Sequence, residues 1–255
     1  MPPKALLLAL ATIHLWVVAV VGLPTGFIEN AGQFPRHIRY YVIRSNGMFY
    51  VTARGYGYVL WDTAGRQRSA ACRLEMRALS STHASLEPDG VLPTVLNFYH
   101  AHHRIEGVRM VLSIRLRGLF PGVDAIIRYT PSGRIKCDYI LSPGVDASCI
   151  AFRISGAVTT ITPDGRLQHT TPVGTITEAA PIAFQGTTAI PARYQSDGQI
   201  LRFTIEGPYD RNRTLTIDPE IEWSTFVGGG LTDQIAHVQT DPARNIIILG
   251  RTQSV

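Results

Sequence analysis

The side chains best able to do chemistry in this sequence are three histidines, His100, His102 and His103, and three carboxylates, Glu29, Asp124 and Asp138. Imidazoles this close in a loop can share a divalent ion. A metal site also needs ligands held in place by hydrogen bonds, and no carboxylate or thiol stands at a recognisable spacing from them. The histidines therefore read as a solvated polar loop, and no metal or cofactor is expected. Glu29, Asp124 and Asp138 could supply the acids of a glycoside hydrolase, which requires two carboxyl groups at a defined separation. Asp124, however, follows Pro121-Gly122-Val123, where a carboxylate commonly accepts backbone N–H bonds, and Glu29-Asn30 can do the same. No Gly-x-Ser-x-Gly elbow supports a Ser-His-Asp hydrolase. Gly228-Gly-Gly230 is not followed by Lys-Ser/Thr and reads as a turn, and Asp241-Pro-Ala-Arg-Asn245 lacks the repeated acidic positions of a calcium loop. No catalytic residues are assigned, and the expectation is a protein that is not an enzyme.

Two other groups of residues could matter. The three cysteines, Cys72, Cys137 and Cys149, allow at most one internal pair. Cys137 and Cys149 flank the turn Ser142-Pro-Gly-Val-Asp146, so two antiparallel strands could bring them together as a disulfide if their Cα atoms come within about 7 Å. Tyr40, Tyr41, Phe49, Tyr50, Tyr56, Tyr58 and Trp61 are mostly core by their strand positions, and any outward-facing subset would form a platform for sugars or peptides.

The elements that carry these residues read as strand, turn, strand throughout. Short β-branched and aromatic runs alternate with turn signals, and no long segment keeps a helical period. Residues 39–44, Asn46-Gly47 and residues 48–52 form a hairpin signal, because Asn-Gly takes the positive φ angles of a tight turn. Residues 56–61 and 71–77 add strands, and 125–129 with 134–141 make a second hairpin across Pro131-Ser-Gly133. Asp164-Gly165 and Asp197-Gly198 mark two more. The fold class is all-β, a multi-stranded antiparallel sheet or sandwich. A boundary falls near Ile217-Asp-Pro-Glu220, where Pro219 cannot donate to a ladder. Domains are assigned at 23–219, an all-β unit, and 220–255, a single repeat-like unit.

Composition agrees: 255 residues with 45% hydrophobic and 17% charged side chains describe a folded chain rather than a disordered one. Met1-Pro-Pro-Lys4, an apolar stretch to Val21 and then Gly22-Leu-Pro24 have the layout of a secretory signal peptide, residues 1–22, with cleavage near Gly22; an uncleaved anchor is the alternative. The net charge of +5 is carried by single, scattered residues, which argues for a solvated surface and against nucleic acid.

The ordered motifs resemble a family of bacterial secreted proteins in which an all-β domain of unknown function precedes SBBP, or β-propeller, repeats. Phe27-Ile-Glu-Asn-Ala-Gly-Gln33 is similar to its opening signature, and Phe120-Pro-Gly-Val-Asp124, Asp138 to Asp146 and Leu215-Thr-Ile-Asp-Pro219 to later ones. Trp223 to Gly229 and Asn245 to Thr252 resemble a first repeat. The loop at His100 to His103 departs from the family pattern, as does the single repeat. The resemblance implies a non-enzymatic extracellular or cell-surface module of structural or adhesive type. Its implied partners are further propeller repeats, a surface protein or a polysaccharide, with no membrane contact beyond the N-terminal signal. A secreted carbohydrate-binding module or carbohydrate-active hydrolase is the alternative.

Overall fold

In the computed structural model, residues 26–44, 47–61, 71–79, 84–100, 103–129, 134–222, 233–240 and 246–252 are described. The chain is all-β. Its strands are β1 (Phe27–Glu29), β2 (Ile38–Arg44), β3 (Gly47–Thr52), β4 (Gly55–Trp61), β5 (Ala71–Ala78), β6 (Ser85–His100), β7 (His103–Phe120), β8 (Val123–Tyr129), β9 (Ile135–Leu141) and β10 (Ala151–Ser155). They continue with β11 (Val158–Ile161), β12 (Leu167–Thr171), β13 (Gly174–Glu178), β14 (Ile182–Gln185), β15 (Thr188–Ser196), β16 (Ile200–Ile205), β17 (Leu215–Asp218) and β18 (Glu220–Glu222). β19 (Asp233–Thr240) and β20 (Ile246–Thr252) pair with each other as a separate two-stranded sheet.

The first eighteen strands belong to one antiparallel sheet, and the sheet closes on itself. From β1 the ladder runs through β2, β3, β4, β5, β10, β16, β15, β14, β17, β9, β8 and β7, and β7 pairs back to β1. Two strands make this possible by sharing one edge between two partners. On β7, residues 113–116 pair with β8 and residues 110–111 with β1, while β6 runs along the opposite edge. On β9, Tyr139–Leu141 pair with β17 and Ile135–Lys136 with β18. Pro219 stands between those two strands, where its missing N–H lets the chain break the ladder and send β18 toward β13. Closure removes sheet edges, which are otherwise sites of unwanted pairing. Among the described residues of this sheet only β6 and β11 keep a single partner.

The interior is filled by rings from facing strands. Phe27, Phe49, Tyr56, Tyr58, Phe120, Tyr139, Phe152, Tyr194 and Phe203 are all buried in one cluster, and Phe120 meets Phe152 edge-on at 5.1 Å. Each such ring contributes on the order of 2 kcal/mol by burial. β3 and β4 are buried on both faces, because Phe34, Ile38, Tyr41, Met48, Tyr50 and Val59 form a second cluster on their outer side. Gly57 is required there, since a Cβ would stand 2.4 Å from the Tyr50 hydroxyl. The hairpins expected at 39–52, 125–141, 159–171 and 192–205 are present. The loop expected at His100 to His103 is shorter than that. β6 and β7 run on to His100 and from His103, and β7 turns only at Pro121-Gly122.

Candidate functional site

Each of the three nominated carboxylates has its own arginine. Glu29, at the end of β1, accepts a two-pronged bond from Arg109 of β7, Nε at 2.8 Å and Nη2 at 3.0 Å, on the exposed surface. Asp124 on β8 lies 3.2 Å from Arg115 Nε and accepts the Gly118 N–H at 2.8 Å. It fixes the approach to the β7–β8 turn, as a turn carboxylate is expected to do. Asp138 on β9 takes Arg128 Nε at 2.9 Å and Nη2 at 2.6 Å on one oxygen, Oδ2.

The carboxylate facing Asp138 is one the sequence did not nominate. Tyr139 pairs with Ile217, so the antiparallel register sets Asp218 of β17 directly across from Asp138 on the same face. Lys136 donates to Asp218 Oδ2. The remaining oxygens, Asp138 Oδ1 and Asp218 Oδ1, are buried and have no hydrogen-bond partner, an arrangement that one shared proton would satisfy. Burial raises the pKa of Asp138 above the usual carboxylate value, Arg128 opposes that rise, and Asp218 adds to it. The result is a cluster of four ionisable groups, Arg128, Lys136, Asp138 and Asp218, at the seam where β9 changes partners.

A second polar group lies deeper. Thr159 Oγ1 is 2.8 Å from His169 Nδ1, and His169 Nε2 is 3.6 Å from Glu178 Oε1. The Tyr56 hydroxyl donates to the same Glu178 oxygen at 3.5 Å and also lies 3.5 Å from the Tyr139 hydroxyl. A hydroxyl, an imidazole and a carboxylate in a row have the residue types of a nucleophile relay. Here His169 and Glu178 are 0% and 1% exposed and Thr159 is 6% exposed, so no substrate reaches the hydroxyl. The chain ties β11, β12 and β13 to β4 and β9 across the core. Burial, followed by the nearby Glu178, holds the Tyr56, Tyr58 and Tyr194 hydroxyls well above the ordinary tyrosine pKa. No motif marks His169 or Glu178 in the sequence, although Thr159, His169 and Glu178 lie on consecutive strands; Tyr56 and Tyr139 reach them from remote ones.

The opening motif is a loop organised by one side chain. Asn30 Nδ2 donates to the carbonyls of Phe34 (2.9 Å), Pro35 (3.2 Å) and Ile38 (2.8 Å), and Asn30 Oδ1 accepts from Gly32 N (3.1 Å) and Phe34 N (2.9 Å). An open cleft of about 490 Å³ beside it is lined by Asn30, Ala31, Gly32, Phe34, Arg36, Ile38 and Arg39.

The remaining candidates resolve as follows. Tyr40, Tyr41, Phe49, Tyr50, Tyr56 and Tyr58 are buried and Trp61 half-buried, so the hairpin presents no row of rings to a sugar. Cys137 and Cys149 are free thiols. The expected hairpin between them does not form: β9 is flanked by β8 and β17/β18, whereas the strand after Cys149, β10, pairs with β5 and β16. Burial pushes the Cys137 thiol pKa well up. The side chains of His100, His102 and His103, the N-terminal segment 1–22, Gly228-Gly-Gly230 and Asp241 to Asn245 lie outside the described residues. Among the described residues no group of three or more His, Cys, Asp or Glu is placed to hold a metal ion. No described helix is long and apolar enough to cross a membrane.

A closed all-β domain, stitched by arginine–carboxylate pairs and opened by an Asn-organised loop, is thus the class that fold and site define. The model of a domain of unknown function, DUF7948, matches residues 27–220, and the chain belongs to that family. No curated protein and no solved structure matches it.

Proposed function

We propose that the chain is a non-enzymatic, extracytoplasmic module of structural or adhesive type, followed from residue 220 by a unit of β-propeller-repeat kind. The observation that supports this reading most is the commitment of the motif residues to architecture. Glu29, Asp124 and Asp138 each neutralise an arginine, and Asn30 holds its own loop. A domain closed on itself is a rigid body that can display loops or begin a repeat array without a mobile lid. Fractionation of cells expressing the full chain, with and without residues 1–22, tests the location. Recovery outside the cytoplasm that depends on those residues is expected, and cytoplasmic recovery of both forms would refute it.

One observation favours a second reading, a carbohydrate-active hydrolase. Asp138 and Asp218 face each other, and one of them has its pKa raised, as an acid pair requires. Against it stand the two cations already engaged with them, Arg128 and Lys136. Loss of any measured hydrolysis in Asp138→Asn would favour this reading.

A further inference from the structure

We propose that the outer face of β5, β10 and β16 binds an acidic polysaccharide through a row of arginines. Arg77 of β5 and Arg153 of β10 are direct cross-strand partners, and both are exposed. Arg202 of β16 is opposite Ala151, which places it diagonally beside Arg153 on the same face. Like charges directly opposite one another destabilise a sheet. Elsewhere in the sheet Arg73, Arg109, Arg115, Arg117, Arg128 and Arg193 each sit against a carboxylate. Among the described residues Arg77 and Arg153 are in no ion pair, and Arg202 makes a 3.5 Å contact with the Ser148 carbonyl and a longer-range attraction to Asp197. A like-charge pair set directly across two strands, with neither member in an ion pair, is explained by an anion from outside.

The geometry narrows the ligand. The strands that carry these arginines lie about 4.8 Å apart, so the row suits a linear polymer with repeated acid groups, and each fork can hold a carboxylate or sulfate by two parallel bonds. Leu79, 42% exposed, and half-buried Ile200 flank the row and offer apolar surface to the carbon face of a sugar ring. Single-stranded nucleic acid is held by stacking on exposed rings. The rings on these strands and the adjacent β15, Phe152, Phe203 and Tyr194, are core residues at 0%, 3% and 2% exposure. The choice of an extracellular polymer rests on the location proposed above.

The test uses the purified full chain against polygalacturonate, heparin, neutral dextran and an oligo-dT. Wild type should bind one or both acidic polysaccharides in a salt-sensitive manner and ignore dextran. Binding to one alone supports the proposal and names the acid group. Arg77→Gln/Arg153→Gln should lose at least about tenfold in affinity, while Arg117→Gln, drawn from an ion pair on another strand, stays within about twofold. The melting temperature of the double variant should equal or exceed that of wild type, because a repulsive pair has been removed, and this separates lost binding from lost fold. Absence of binding to either polyanion, unchanged affinity in the double variant, or equally tight arginine-dependent binding of oligo-dT would overturn the proposal. Cytoplasmic retention of the chain would overturn the location alone and leave the arginine dependence to be judged on its own.

Discussion

Replacing Asn30 by alanine removes the one side chain that holds the opening loop in shape. Five hydrogen bonds go, three donated to carbonyls and two accepted from backbone N–H groups. At about 0.5–1.5 kcal/mol net each, and discounted because water reaches part of the loop, the loss is about 3 kcal/mol. For a domain of this size a loss of 1 kcal/mol lowers the melting temperature by about 2–4 °C, so a fall of about 6–12 °C is expected. Asn30→Asp should be at least as damaging, since it sets a second oxygen against three carbonyls. Glu29→Gln breaks only an exposed ion pair and should cost less than about 1 kcal/mol. Differential scanning calorimetry of the three variants provides the comparison. An Asn30→Ala protein melting within 2 °C of wild type would refute the reasoning and free the signature for a role other than architecture.

Three further outcomes follow from the packing and the charges. Gly156 has φ +88° and a Cβ there would lie 1.7 Å from the Arg73 carbonyl oxygen; Gly156→Ala should therefore cost about 4 kcal/mol from strain and overpacking, and a melting change under 2 °C would contradict it. The Asp138 carboxyl should titrate above 3.8 when followed by ¹³C NMR, and should move down in Asp218→Asn, which removes the facing acid. Because the folded value lies above the unfolded one, the stability tied to this group is full at low pH and is lost as pH rises through the folded value. Wild type should therefore lose stability relative to Asp218→Asn over that range; the opposite slope would exclude the pair. Thiol titration in denaturant without reductant should find three free thiols, with Cys137 unreactive in the folded protein, whereas one thiol would reveal a disulfide.

Local structure was legible in the sequence and closure was not. Asp164-Gly165 and Asp197-Gly198 announced their hairpins because turn chemistry acts over two or three residues, with both glycines at positive φ; the hairpin expected at Asn46-Gly47 forms, but Gly47 already belongs to β3 and pairs with Arg44. β6 was missed in its first half, since Pro88, Gly90 and Pro93 read against a strand; they are tolerated because one edge of β6 is unpaired. The pairings β5 with β10 and β9 with β17 join residues far apart in the chain, so no local signal carries them. For the same reason Asp218 passed unnoticed, and the Cys137–Cys149 hairpin was expected where β9 in fact turns to other partners; His169 and Glu178 sit on the consecutive strands β12 and β13 but carry no motif. The opposition of Arg77 and Arg153 became visible only once that register was known.

The most direct test of the account is release of reducing ends from a panel of neutral and acidic polysaccharides by the purified full chain, wild type beside Asp138→Asn/Asp218→Asn. A non-enzymatic module predicts no release above the blank from either protein, with the acidic polymers bound intact by wild type. Release by wild type that the double substitution abolishes would contradict it and make the seam of β9 an active site.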